Sequence, residues 1–311
     1  MTSLSATEAA KAPSDAVVGT LGCQSSLAPS RLCFTLGSAE LRATFTHAWS
    51  QRLAAAAFSP LLKQGAAMRV YEGGIFASRT SLTVTFDRAQ VEVPIVDNDD
   101  FGAAYIAVRE VFARFAAAAA NNLAFYGATC ARNDRALVCI GPPGSGKTVL
   151  ALHLANAGLQ FCGDEIFVLT SQGCVAAVQR LPALRESCLP MLPAAQRAAV
   201  LAAPGVISRP YGRLWYALEA RDLCGIAPEP APRTLGAIVM LEGRADEPRI
   251  APIATDTLLA ALMQRAFIRS SQLRDLAGVA RAVRTARGFS LVAGTPEATA
   301  TLLAKTLAAC E

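Results

Sequence analysis

Histidine is nearly absent from these 311 residues, occurring only as His47 and His153. The nine cysteines are scattered from Cys23 to Cys310 with no Cys-x-x-Cys pair, so no ligand set has the spacing of a structural zinc site. Lysine is scarce too, found at Lys11, Lys63, Lys147 and Lys305, and arginine carries nearly all the positive charge. The balance of 29 basic against 24 acidic residues is mild, and no basic run is interleaved with aromatics. That pattern gives no case for nucleic-acid binding. The N-terminus lacks the charged-then-apolar order of a secretory signal. The most apolar run, "FARFAAAAANNLAFYGA", contains Arg114, Asn121 and Asn122 and is too short and polar to span a bilayer. Dispersed cysteines without a signal are expected to be reduced core residues in the cytoplasm.

What is present falls into three regions. Residues 1–30 are rich in Ser, Ala and Thr without periodicity and read as a disordered tail. From 31 to 100 come short alternating runs such as "LRATFT", "SLTVTFD" and "VEVPIV", a β-rich region with one Ala-rich helix near 48–57. The acids of "DNDD", Asp97 to Asp100, suit a helix start, and the helix is expected over 101–123. From 101 to 311 strands and helices alternate, which predicts an α/β domain. Within it, "RALVCIG" is a strand, "KTVLALHLANAG" a helix, "LQFCG" and "EIFVLT" strands, and "TLGAIVMLE" a strand buried on both faces.

One stretch carries chemistry. "GPPGSGKT", Gly141 to Thr148, fits Gly-x-x-x-x-Gly-Lys-Ser/Thr and lies between an apolar strand and a helix. Gly141, Gly144 and Gly146 let backbone amides converge on phosphate oxygens, with Ser145 inside the curl and Pro142 and Pro143 stiffening it. Lys147 supplies a full charge to the β and γ phosphates, and the Thr148 hydroxyl is a ligand for Mg²⁺. His153, on the helix after the loop, reads as a packing or surface residue.

Two acids, Asp164 and Glu165, follow Lys147 by 17 and 18 positions, across one helix and one short strand. That spacing brings both carboxylates beside the phosphates. One can hold Mg²⁺ or its water, and the other can take the proton of an attacking hydroxyl. Read without function, "GDE" is a polar turn between strands.

The loop and acids together resemble the bifunctional HPr kinase/phosphorylases and their relatives, some of which are encoded beside ribosomally made peptides. The family's loop, of the form GxSGxGKS, is followed by a Gly 11 positions after its Lys, here Gly158, and by an acidic pair, here Asp164-Glu165. "TLGAIVMLEGR", "VQRLPALR" and "LEARDLCGI" resemble further family segments. The resemblance implies a P-loop kinase core of the HPr kinase/PEP carboxykinase type with a mixed sheet, preceded by a smaller β-rich region. It implies Lys147 and Asp164 as catalytic residues, with Asp164 accepting the substrate hydroxyl proton. It also places Glu165 beside Thr148 on the Mg²⁺ side, and makes Arg180 and Arg185 candidates for phosphate or substrate contact. Where the family has a His, 21 positions before the lysine, this chain has Tyr126. Tyrosine, with a pKa near 10, does not readily exchange a proton near neutral pH.

The expectation is an ATP- and Mg²⁺-dependent kinase acting on a Ser hydroxyl of a protein or peptide, with no nucleic-acid or membrane partner. HPr kinases form rings, so the resemblance also suggests a homo-oligomer. The alternative is an ATP-binding regulatory or accessory protein of weak activity, which Tyr126 favours. A motor- or transporter-type ATPase is disfavoured because no "LSGGQ"-like signature occurs and the acids come early. A small-molecule kinase stays open.

Overall fold

The computed structural model describes residues 26–36, 38–58, 61–62, 67–97, 99–178, 180, 182–202, 215–217, 231–267 and 273–308. The expected tail is therefore outside the described residues up to 25, whereas 26–30 belong to a strand. The family-like segment "LEARDLCGI", 218–226, also lies outside them. The chain divides into two compact units, and both large sheets are mixed. No described helix is long and apolar enough to cross a membrane.

The first unit spans residues 1–119 with the short segments 183–186 and 202–217. Strands β1 (Ser26–Leu36), β2 (Ala39–His47), β3 (Arg69–Ala77), β4 (Ser81–Phe86) and β5 (Ala89–Pro94) form a sheet in sequence order. Helix α1 (Ala48–Ala57) provides the crossover that lets β3 lie parallel to β2; the other neighbours are antiparallel. Alternation decides the faces: Leu41, Ala43 and Phe45 are buried while Arg42, Thr44 and Thr46 are partly exposed.

Helix α2 (Asp100–Ala120) begins where the Asp99 carboxylate accepts from the Gly102 amide at 2.8 Å, the capping role expected of "DNDD". Its Phe112 ring stacks on Phe58 at 3.6 Å and meets Phe34 edge-on at 4.7 Å. These contacts assign the helix to the first unit, so the expected boundary at residue 101 moves to 120. Periodicity shows that a helix has an apolar face but not which sheet the face covers. A strand pair, β12 (Ala183–Arg185) with β13 (Trp215–Ala217), also belongs to this unit.

Among the described residues the second unit holds a nine-stranded sheet, which includes the short strands β11 (Cys174–Ala177) and β15 (Arg249–Pro252). Its centre is parallel: β8 (Arg135–Ile140), β14 (Arg233–Arg244) and β16 (Arg287–Ala293) run alongside one another. Val138, Cys139, Ile140, Ile238 and Val239 are almost fully buried, as a strand covered on both faces requires. Helices α5 (Thr255–Met263) and α6 (Leu273–Thr285) close one apolar cluster through Leu258, Leu262, Val279 and Val283. Helix α3 (Lys147–Asn156) packs with α7 (Pro296–Ala308).

Four further strands make a bent ribbon. β6 (Leu123–Tyr126) and β7 (Ala128–Arg132) are one strand interrupted at Gly127; β9 (Gln160–Gly163) and β10 (Ile166–Leu169) are another, interrupted at Asp164-Glu165. The halves pair antiparallel, β6 with β10 and β7 with β9, so both strands turn a corner together. Such irregularities re-aim side chains and gather beside functional sites. A Cβ on Gly127 would lie 2.8 Å from the Cys139 carbonyl oxygen and 2.9 Å from the Phe167 ring. Only glycine fits there.

Candidate functional site

The loop after β8 ends at Gly146, which caps α3 in the left-handed region at φ +96°. Gly144 is also left-handed, at φ +80°. The Leu150 amide donates to the Gly146 carbonyl at 2.8 Å, so the helix starts directly at Lys147 with its first amides facing the loop. Lys147 is 4% exposed. Its ammonium donates to the carbonyls of Gly141 at 3.1 Å and Pro142 at 2.9 Å, and lies 4.4 Å from the centre of the Tyr126 ring. A cation over a ring face is attracted by its quadrupole, so Tyr126 helps to seat the lysine.

The corner of the ribbon supplies the acids. Asp164 is 2% exposed and accepts a hydrogen bond from the Thr148 hydroxyl at 2.9 Å. Burial pushes its carboxyl above the usual range, against the opposing pull of Arg180, the Thr148 hydrogen bond, Lys147 and the Glu165 amide. Glu165 takes a left-handed backbone at φ +67°, and its carbonyl accepts from the Gly127 amide at 3.3 Å, which fastens the two bends to each other. Its carboxylate meets the Arg180 guanidinium at 2.9 Å, with both side chains under a tenth exposed.

Lys147, Thr148 and both acids thus come together with the loop glycines. Asp164 touches Thr148, while Glu165, which the resemblance places on the Mg²⁺ side, faces Arg180. A buried guanidinium needs a counter-charge, and Glu165 provides it. Arg180 accordingly stands as an ion-pair partner within the site. Arg185 ends β12, a strand of the first unit. His153 is buried, and its Nε2 donates to the Met191 carbonyl at 2.7 Å in the tautomer that bond requires, which makes it a packing residue.

The donor set fits Mg²⁺ and ATP. The Thr148 hydroxyl offers a hard oxygen, with the Asp164 carboxylate 2.9 Å from it, and the loop offers left-handed glycines, helix amides and one lysine. The sequence reading passed over Arg244, the last residue of β14. A methyl group built on Gly146 would lie 3.4 Å from its Nη2. The available signal was its place at the end of a strand parallel to the one feeding the loop. Burial raises the Cys139 thiol to about 12 and the Cys162 thiol to about 11, so both stay protonated.

No protein-family model matches the chain, and no curated protein matches it. One similar solved structure is that of the Hpr(Ser) kinase/phosphatase from Coxiella burnetii, at 12% sequence identity and a TM-score of 0.31. The match covers 60% of this chain and 97% of that one. A likeness at that score carries no argument about what this chain does.

Proposed function

We propose that the chain binds Mg²⁺-ATP at the Gly141–Thr148 loop and transfers the γ-phosphoryl group to a Ser hydroxyl of a protein or peptide. The observation that carries this reading is the contact between Thr148 and Asp164, which joins the start of the loop helix to a buried acid on another element. Loop amides and Lys147 would hold the phosphates, and Thr148 would hold Mg²⁺, whose charge offsets that of the phosphate oxygens when bound. The acceptor oxygen bonds to the γ-phosphorus as the bond to the bridging oxygen breaks, and ADP departs. Asp164 takes the hydroxyl proton, a role favoured by a carboxyl that burial makes more basic than usual. Glu165 and Arg180 neutralise each other and fix the bend that aims Asp164.

A second reading has its own observation. Tyr126, whose ring lies 4.4 Å from the Lys147 ammonium, stands where the resembled family has a His, which favours a protein that holds ATP with little transfer. Labelled ATP with Ser-containing acceptor peptides separates the two. Label moving to serine in the parent, and lost in Asp164→Asn, supports the kinase. Binding with neither transfer nor hydrolysis supports the weak binder.

A further inference from the structure

We propose that Arg244 is a phosphate-contacting residue of the nucleotide site, exchanging its present partner, the Met191 thioether, for the phosphate chain. This rests on the ATP-binding reading above and adds a residue to it. Strand β14 lies parallel to β8 and next to it, with Met240 opposite Ile140, so the two strands deliver their ends to the same edge of the sheet. One end becomes the glycine loop; the other ends on Arg244.

The guanidinium lies against Gly146, the residue that caps the loop helix, in space that any side chain at 146 would enter. The same guanidinium donates from Nη1 to Met191 Sδ at 3.7 Å. A thioether is a weak acceptor, and an exposed arginine directed at one gains little from it. Phosphate oxygens are strong acceptors whose geometry matches the guanidinium fork.

Met191 itself is fixed in place. Its carbonyl is held by His153, which belongs to the helix that begins at Lys147. Arg244 therefore lies beside both the loop and a residue held by the loop helix. Lys147 approaches the loop from its own helix beneath Tyr126, and Arg244 from the neighbouring strand. Two cations from two elements can share a chain of phosphates that one lysine would hold alone.

The test titrates the full-length protein with Mg²⁺-ATP and, separately, with inorganic tripolyphosphate. The parent, Arg244→Ala, Arg244→Lys and Met191→Leu are compared. Arg244→Ala is expected to weaken both ligands at least tenfold with an unchanged melting temperature. Arg244→Lys should weaken them severalfold, because charge survives but the fork does not. Met191→Leu should bind as tightly as the parent or more tightly.

Equal binding by Arg244→Ala and the parent overturns the proposal while leaving the ATP reading intact. Weaker ATP binding with unchanged tripolyphosphate binding also overturns it, since the contact would then be to base or sugar. A parent that binds neither ligand overturns both. Should Arg244→Ala not fold, Arg244→Lys decides: binding equal to the parent's rejects the contact.

Discussion

In the first unit, Arg31 and Glu72 meet at 2.6 Å with 52% and 55% of their side chains exposed. In the second, Lys147, Asp164, Glu165 and Arg180 are each under a tenth exposed and gather at one bend of one ribbon. Water screens the first arrangement and makes it nearly neutral for stability. The second pays several kcal/mol of desolvation per ion, only partly returned by pairing. A fold keeps such a cluster at a site whose electrostatics must act in a dry setting.

The comparison breaks first at Asp164. Replacing it with Asn keeps shape and an acceptor for Thr148 but removes the base. Transfer of labelled phosphate should fall by about 10²- to 10⁴-fold with ATP affinity kept. Retained turnover would show that the buried acids are structural. Arg180→Met leaves Glu165 buried without its counter-charge and should cost about 3–5 kcal/mol in denaturant unfolding. Adding Glu165→Gln should return most of that loss; a double variant no better than the single would mean that the pair is not the source.

The bend can be probed without touching charge. Gly127→Ala forces a methyl against the Cys139 carbonyl and the Phe167 ring and should destabilise by about 1–3 kcal/mol.

A smaller effect separates stability from activity at the same acid. Because burial raises the Asp164 pKa, the folded protein keeps this proton to a higher pH than the unfolded chain does. Ionisation therefore costs stability as pH rises from the unfolded value, near 3.9, through the folded one. Arg180, Lys147 and Thr148 face the carboxylate and limit that cost without reversing it. Melting curves of the nucleotide-free protein should show Asp164→Asn gaining on the parent as pH rises, then levelling. A constant difference would contradict this. Least of all should Arg31→Ala matter, with a loss of at most about 1 kcal/mol that added salt makes smaller still.

Much of the candidate site was legible from residues alone because its residues are nearly contiguous. A loop needs glycines, a lysine and a hydroxyl within eight positions, and the acids follow after one helix and one strand. The parallel strand at 233–244 was legible for a similar reason, since burial on both faces leaves an unbroken apolar run. The bend was not legible. It exists only because 123–132 pairs with 160–169 on both sides of Gly127, and no local pattern in "FYGAT" marks a corner. Nor was the pairing of Glu165, which depends on a guanidinium fifteen residues further along the chain reaching its carboxylate. The helix at 100–120 was recognised by its period, yet it serves the first unit, where Phe34 of the sheet and Phe58 at the end of α1 receive Phe112.

A crystal structure with a non-hydrolysable ATP analogue and Mg²⁺ tests the central geometry most directly. The account predicts the terminal phosphate between the Lys147 ammonium and the Asp164 carboxylate, with Thr148 on the metal. Phosphates bound away from the loop, or an Asp164 carboxylate turned from them with the analogue in place, would contradict it.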